Sequence, residues 1–483
     1  MSSAPSRSPA SPAEEKSLRM LLWLVAVGFF MQTLDATIVN TALPAMARSI
    51  GESPLRMQSV VVAYSLTMAM LIPASGWIAD RFGTRRVYVA SITLFVLGSV
   101  ACALSGNLTQ LVMARVLQGL GGAFLLPVGR LAVLRAYPRE RFLQAMSFIA
   151  IPGLVGPLVG PTLGGWLVEV ATWHWVFLIN IPVGLIGGIA TLFYMQDNPQ
   201  PRMPRFDITG YLFLAFGMVT VSLAVDGVSG LGLKQVSVLV LLIFGMASLA
   251  AYWLHASKRP DPLFSPKLFS IQTLSVGLIG NLFSRLGSSC MPFLVPLLLQ
   301  VSLGFSPFRA GMMMIPVAVA GMAVKRITTP MITRFGYRRV LVTNTALVGC
   351  TMASFAFISP AQPLWLHIIQ LALFGAVNSM QFTAMNTVTL RDLEPGMASS
   401  GNSLLSMVQM LAMSMGVAAA GAVLAGFTGY FGSGESAQLL KAFQATFVSM
   451  GLITLASAGI FWQLSPTVRV VKKAESTEAS GQG

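Results

Sequence analysis

Three charged residues interrupt stretches of chain that are otherwise apolar: Asp35, Arg115 and Arg285. Charge at the middle of a bilayer costs roughly +2.5 to +3.5 kcal/mol on insertion scales, so a retained charge is a candidate for function. A carboxyl that alternates between wet and dry surroundings loads and releases a proton, which suits Asp35 to proton coupling. Held fast by an arginine, it would be a structural acid instead. Arginine does not deprotonate in proteins. Arg115 can tune a nearby carboxylate, bind an anion or hold two helices in register, but it cannot carry the proton. Arg285 has Asn281 and Gln300 near it in sequence. It would line a watery cavity and attract anionic or polar groups, unless its span lies at an interface. Asn40 and Gln118 complete the expected polar lining of the cavity. Asp226 and Lys325 stand near the ends of apolar runs, where side chains snorkel to water.

The elements that must hold these residues are legible from composition. Of 483 residues, 55% are apolar and only 10% charged, against roughly 25% charged in a soluble chain. A bilayer-crossing helix needs about 20 mostly apolar residues. Such runs occur at about 21–43, 57–79, 87–105, 108–132, 143–167, 176–195, 208–226, 236–256, 270–301, 309–328, 340–359, 364–388, 398–426 and 443–464, which makes fourteen. The prediction is an all-α polytopic membrane protein. A soluble enzyme, a disulfide scaffold and a disordered chain are excluded by composition, and a membrane β-barrel by the lack of alternating polar positions.

The net charge of +15 does not indicate nucleic acid, because the basic residues sit in short gaps between apolar runs rather than in one stripe. With the N-terminus cytoplasmic, 23 Lys and Arg fall on the cytoplasmic side and 5 on the other. That asymmetry places both termini in the cytoplasm and requires an even number of spans. The first run is too long for a signal peptide and is read as an uncleaved helix. The three cysteines, Cys102, Cys290 and Cys350, fall within spans, and the three histidines are scattered. Neither spacing gives a disulfide framework or a metal site, and no cofactor motif is present.

The chain contains an internal repeat. Asp80-Arg81-Phe82-Gly83-Thr84-Arg85-Arg86 follows the second span, and Thr333-Arg334-Phe335-Gly336-Tyr337-Arg338-Arg339 follows the tenth, with five of seven positions shared. Weak internal similarity of this kind marks secondary transporters. It divides the chain into a disordered tail (1–20), a six-helix bundle (21–195), two extra helices with linkers (196–269), a second six-helix bundle (270–464) and a short tail (465–483). Gly76 and Gly83 permit close passage and a tight turn. Asp80 can accept from Arg85 or from free N–H groups of the next helix, forming a breakable latch. In the fifth span, Gly153, Gly156, Gly160, Gly164 and Gly165 are interleaved with Pro157 and Pro161. Gly156, Gly160 and Gly164 form one smooth face, which permits close helix approach, and the prolines bend the helix. The segment reads either as a hinge or as plain tight packing.

Together these residues resemble the major facilitator superfamily, in its fourteen-span drug/proton antiporter branch. Gly76 to Arg86 is similar to the gate motif, with Arg334, Gly336 and Arg338 in a second copy. Arg115 with Gln118-Gly119 is similar to the fourth-helix motif, and Gly156-Pro157 through Gly165 to the antiporter signature. Leu34-Asp35 to Pro44 and Trp173 to Gly184 fit the fourteen-span branch. In the latter stretch His174 stands where arginine is usual. Thr333 replaces the acid of the second gate copy, so that latch should be the weaker. The resemblance implies two six-helix bundles plus two extra central helices, alternating access, proton coupling at Asp35 and Arg115, and export of small amphipathic compounds of the multidrug type. It also implies a monomer in the bacterial inner membrane, with protons, a small-molecule substrate and lipid as its partners, and neither metal nor cofactor. Counting Asp35 as ionised, the interior charges sum to +1, which makes an organic-anion exporter the runner-up. A channel would need filter-like repeats, and an enzyme a reactive cluster at one depth; the sequence has neither. A receptor would add a soluble domain, which the short connections exclude.

Overall fold

A computed structural model describes residues 12–137, 139–196, 206–227, 235–394, 397–432 and 436–465. Of the two expected tails, residues 1–11 and 466–483 lie outside the described residues. The described residues form α1 (Pro12–Ile50), α2 (Gln58–Phe82), α3 (Thr84–Ala103), α4 (Leu108–Ala136), α5 (Arg139–Val170), α6 (Trp175–Leu178), α7 (Asn180–Tyr194), α8 (Ile208–Gly227), α9 (Gln235–Lys258), α10 (Gln272–Ser288), α11 (Met291–Val301), α12 (Pro307–Met312), α13 (Ile315–Phe335), α14 (Tyr337–Ala353), α15 (Leu364–Leu390), α16 (Ala398–Phe431) and α17 (Ser436–Phe461).

Three crossings are broken in two. The pairs α6–α7, α10–α11 and α12–α13 are each interrupted just before a proline: Pro182, Pro292 and Pro316. Proline has no N–H to continue the helical ladder, so the break falls where the bond is already missing. Counting each pair once gives fourteen crossings. Thirteen are long and apolar enough to span a bilayer, and the 32-residue α5 is the fourteenth. One expectation fails at the N-terminus. The helix does not wait for the apolar run at Leu21: residues 12–20 are already helical rather than tail.

The sequence repeat returns as a repeat of packing. In the first half α1 packs on α4, α5 and α7, α2 on α4, and α3 on α4 and α7. In the second half α10 packs on α15, α16 and α17, α13 on α15, and α14 on α15 and α17. The two gate loops match in backbone as well. Gly83 between α2 and α3 has φ +90°, and Gly336 between α13 and α14 has φ +79°. A side chain is strained in that region, so only glycine turns the chain this sharply at both places.

The halves meet along two seams. One joins α2 to α16; the other joins α5 to α12 and the start of α13, with α1 against α11 beside it. The second seam lies at the end of the molecule away from the basic loops. There Thr162 Oγ1 donates to Gly311 O at 3.2 Å, Gln300 Nε2 to Thr41 O at 2.9 Å, and Phe308 N to Glu169 Oε1 at 3.0 Å. A methyl group on Gly165 would fall 2.2 Å from Pro307 O, and one on Gly311 2.3 Å from Pro161 O. The backbones are therefore in contact, which only small residues allow.

The two extra helices pair with each other and stand at the first seam, α8 touching both α2 and α16. Ser222 and Ser414 share a hydrogen bond at 3.1 Å. Asp226, expected to snorkel, is instead only 3% exposed and is bonded by Gln58 of α2. At the basic end, the Phe206 ring lies 4.9 Å from Trp77 of α2. Asp207 ties the pair together: it accepts from Gly210 N at 3.0 Å, from Leu263 N at 3.3 Å and from His255 Nε2 at 2.8 Å.

Candidate functional site

Small residues bring the charged helices together. A methyl group on Gly98 of α3 would lie 2.4 Å from Gln118 Cα, and one on Gly121 of α4 would lie 2.4 Å from Ser91 O. Gly119 faces Thr67 and the Tyr64 carbonyl of α2 in the same way. With its neighbours this close, α4 drives Arg115 and Gln118 into the centre of the first half. Arg115 stands in the second turn of α4, roughly 10 Å from its start.

Asp35 of α1 is 0% exposed and Arg115 is 1% exposed, and they form a salt bridge at 2.6 Å. Arg115 Nη1 donates to Asp35 Oδ2, and to Gln118 Oε1 at 2.6 Å; Arg115 Nε donates to Val60 O at 3.3 Å. The other carboxylate oxygen accepts two amides, Gln118 Nε2 at 2.7 Å and Asn180 Nδ2 at 2.9 Å. Both amides also reach Ser99 Oγ, at 2.9 and 3.3 Å. The guanidinium lies 4.1 Å from the centre of the Tyr64 ring, whose negative face favours a cation. Five elements, α1, α2, α3, α4 and α7, thus close around one ion pair. A buried pair is retained at a cost in desolvation, and removing one partner strands a charge.

Asp35 is held by Arg115 inside a bundle, the second of the two arrangements named for it above. One expectation is corrected. Gln118 is not open lining but a bridge between both charges. Asn180 and Ser99 were not singled out, although Asn180 lies within the Trp173 to Gly184 stretch. A polar amide at the head of an otherwise apolar helix was the available signal. His174 stacks on Trp173 with ring centres 3.8 Å apart, and burial holds its imidazolium below the ordinary histidine value. It therefore does not supply the charge that an arginine there would.

The glycine face of α5 serves α1. Methyl groups on Gly153, Gly156, Gly160 and Gly164 would strike Phe29, Thr33, Thr37 and Ile38. Thr37 Oγ1 donates to Gly156 O at 3.4 Å and Thr41 Oγ1 to Pro161 O at 3.1 Å. Asp35 sits between Thr33 and Thr37 on this same helix. The neighbouring Gly165 faces the other half instead, so α5 links the acid-bearing helix to the inter-half seam. Pro157 and Pro161 lie inside α5.

At the basic end, Asp80 pairs with Arg135 in the last turn of α4. The expected donors were Arg85 or the N–H groups of α3. The latch instead ties the α2–α3 turn to α4, because α4 ends beside that turn with its arginine in reach. Arg81 and Arg86 are exposed, and Gly76 has open space around it. In the second copy Thr333 Oγ1 bonds its own helix at Pro330 O, 2.8 Å away. Arg334 stacks on Phe335 at 5.3 Å and Arg338 on Trp462 at 4.6 Å. Among the described residues Arg391, at the matching end of α15, meets one carboxylate, its neighbour Asp392 at 3.6 Å. No acid among the described residues is shown bridging the second copy to α15.

Asn281 of α10 is buried, donating to Gly277 O at 2.9 Å and accepting from Gln409 at 3.4 Å. Asn40 donates to Ala36 O at 3.5 Å, and its carbonyl oxygen has no partner. Arg285 stands one turn beyond Asn281, its guanidinium 4.6 Å from the Phe382 ring centre.

Comparison with known proteins agrees with this architecture. The family model described as Major Facilitator Superfamily matches residues 25–417. A protein of Pectobacterium atrosepticum is 49% identical over 450 residues, covering 93% of this chain and 96% of its own. One of Escherichia coli (strain K12 / DH10B) is 51% identical over 447 residues, covering 92% and 94%. Both are named "Putative multidrug resistance protein MdtD". Among solved structures, a POT family transporter in complex with 5-aminolevulinic acid superposes with a TM-score of 0.68 at 14% identity, covering 94% of this chain and 96% of that one. The human organic anion transporter MFSD10 superposes at 0.62 with 15% identity, covering 93% and 100%. At such identities these two speak for the fold alone.

Proposed function

The chain belongs to the major facilitator superfamily, and from that premise we propose that it is a proton-coupled secondary transporter exporting small amphipathic compounds, by alternating access, from the bacterial cytoplasm. The relatives named for multidrug resistance support the substrate class. The basic loops support a cytoplasmic face bearing both termini, in the inner membrane. The protein works as a monomer, because one chain carries both six-helix bundles and the seams between them.

One observation carries the coupling: the buried Asp35–Arg115 pair on a helix that rides the glycine face of α5. A proton on Asp35 neutralises the carboxylate and strands Arg115 in a dry site. The proton-loaded acid therefore favours a second arrangement in which Arg115 has water or another partner. The α5–α12 seam is closed here, at the end away from the basic loops, so alternating access would open the basic end. Sliding α5 against α12 moves the surface on which α1 rests, and so couples the acid's surroundings to the side that is open. Asp80–Arg135 fastens α2–α3 to α4 at the basic end and is the bond that the cycle would remake.

The test is export by everted vesicles with an acidified lumen, reading compound accumulation together with proton release. Asp35→Asn should insert in the membrane yet lose gradient-driven export. Normal proton release with substrate in that variant removes Asp35 from the mechanism.

A further inference from the structure

Arg285 is a half-buried cation with no anion among the described residues. Among the described residues no carboxylate reaches it and no hydrogen bond is made by its side chain, and its Nε is buried without an acceptor. Among the described residues its one contact of electrostatic kind is the Phe382 ring. An isolated guanidinium within the span of a membrane protein is costly to maintain, and a ring face returns only part of that cost. The first half solves the same problem with Asp35. The second half leaves it unsolved.

The surroundings explain what would complete it. On α10, Asn281 and Arg285 are four residues apart and share a face. On α15, Phe382 and Asn386 are four apart as well. Because α10 and α15 run antiparallel, the two helices form two rungs. One rung is Arg285 over Phe382. The other is amide: Gln409 Nε2 of α16 donates to Asn386 Oδ1 at 2.6 Å and to Asn281 Oδ1 at 3.4 Å. Phe382 keeps 42% of its surface exposed, and Asn386 and Gln409 are only half-buried. An aromatic face, an unpaired guanidinium and a strip of amides therefore open together where α15 and α16 barely touch.

We infer that these five residues form a subsite for the anionic group of an aromatic amphiphile, a carboxylate or sulfonate attached to a ring. The anion takes the guanidinium, the ring lies against Phe382, and the amides hold polar substituents. The inference rests on the transporter reading above and narrows it, placing recognition in the second half and proton handling in the first.

Two xanthene dyes of the same scaffold test it, the anionic fluorescein and the cationic rhodamine 123, by fluorescence anisotropy on the full chain in nanodiscs at pH 7.5. Wild type should bind fluorescein more tightly than rhodamine 123. Arg285→Gln should weaken fluorescein at least about tenfold, the scale of a charge-assisted hydrogen bond, and leave rhodamine 123 unchanged or tighter. Arg285→Lys should recover part of the fluorescein affinity, which a merely structural arginine would not predict. Because the substitution removes an unpaired, half-buried charge, Arg285→Gln should melt no lower than wild type. Equal loss of both dyes, a preference for rhodamine 123 in wild type, or unchanged fluorescein binding in Arg285→Gln overturns the proposal. Binding needs no proton gradient. Loss of gradient-driven export with this binding pattern intact would count against the coupling mechanism and leave the subsite standing.

Discussion

Replacing Asp35 by Asn removes one charge and keeps the shape of the side chain. The carboxylate accepts three hydrogen bonds, from Arg115, Gln118 and Asn180. An amide oxygen keeps the contacts on one side, but its NH2 group then points at the Arg115 donors. Arg115 retains Gln118 Oε1, Val60 O and the Tyr64 face, all of them neutral. Breaking a buried pair from one side costs about 3–5 kcal/mol, because the remaining charge is uncompensated. Arg115→Gln should cost a similar amount from the other side. In the double variant Asp35→Asn with Arg115→Gln, no charge is left to strand. Its total cost should fall to about 1–2 kcal/mol, the scale of imperfectly remade neutral hydrogen bonds. The assay is reversible unfolding by SDS in mixed micelles at pH 7.5 for wild type, both single variants and the double. The expected signature is a double variant more stable than either single one, with a coupling of several kcal/mol. Additive costs would refute the reasoning, for they would mean that the two side chains do not sense each other as charges.

Three further outcomes follow from other sites. At Asp207 burial raises the carboxyl, but the Gly210 amide, the His255 ring and the Leu263 amide outweigh it and hold it below the ordinary carboxylate value. The stability it lends is therefore present above about pH 4 and lost as pH falls through its lowered value; the gap in melting temperature between wild type and Asp207→Asn should be constant near neutrality and vanish in acid. Asp80→Asn should shift unfolding by no more than about 1 kcal/mol, since Asp80–Arg135 is a partly exposed pair, while export falls steeply in the vesicle assay; unimpaired export would free the latch from the cycle. Gly160→Val should destabilise by about 1–3 kcal/mol because its first carbon already falls 2.2 Å from Thr37 Oγ1, whereas Gly76→Ala, with open space around it, should stay within about 1 kcal/mol of wild type by the same measurement.

Periodicity and charge placement were enough to find the crossings, because each span must satisfy its own backbone in lipid and so announces itself as a run of about 20 apolar residues. The repeat was legible for a similar reason: a sharp glycine turn between two spans leaves Gly83 and Gly336 in matching sequence. Partners were harder to read. Arg135 and Asp80 are 55 residues apart, and nothing local says that α4 ends beside the α2–α3 turn. Asn180 and Ser99 join Asp35 only because α3, α4 and α7 converge, which depends on glycines whose neighbours a sequence does not show. The same ignorance made Asp226 look like a snorkelling residue, when α2 supplies Gln58 as its partner. Arg285 was the reverse case. Its isolation was visible as a lone charge in an apolar run, and the fold did not supply the carboxylate that would have made it structural.

The placement of α8 and α9 has a consequence for how the molecule sits among lipids. A two-fold repeat should offer two equivalent flanks, but an appended pair that stands only where α2 meets α16 removes that equivalence. The α2–α16 flank is backed by a further pair of helices, and the α5–α12 flank is not. The bilayer around this protein therefore has a front and a back.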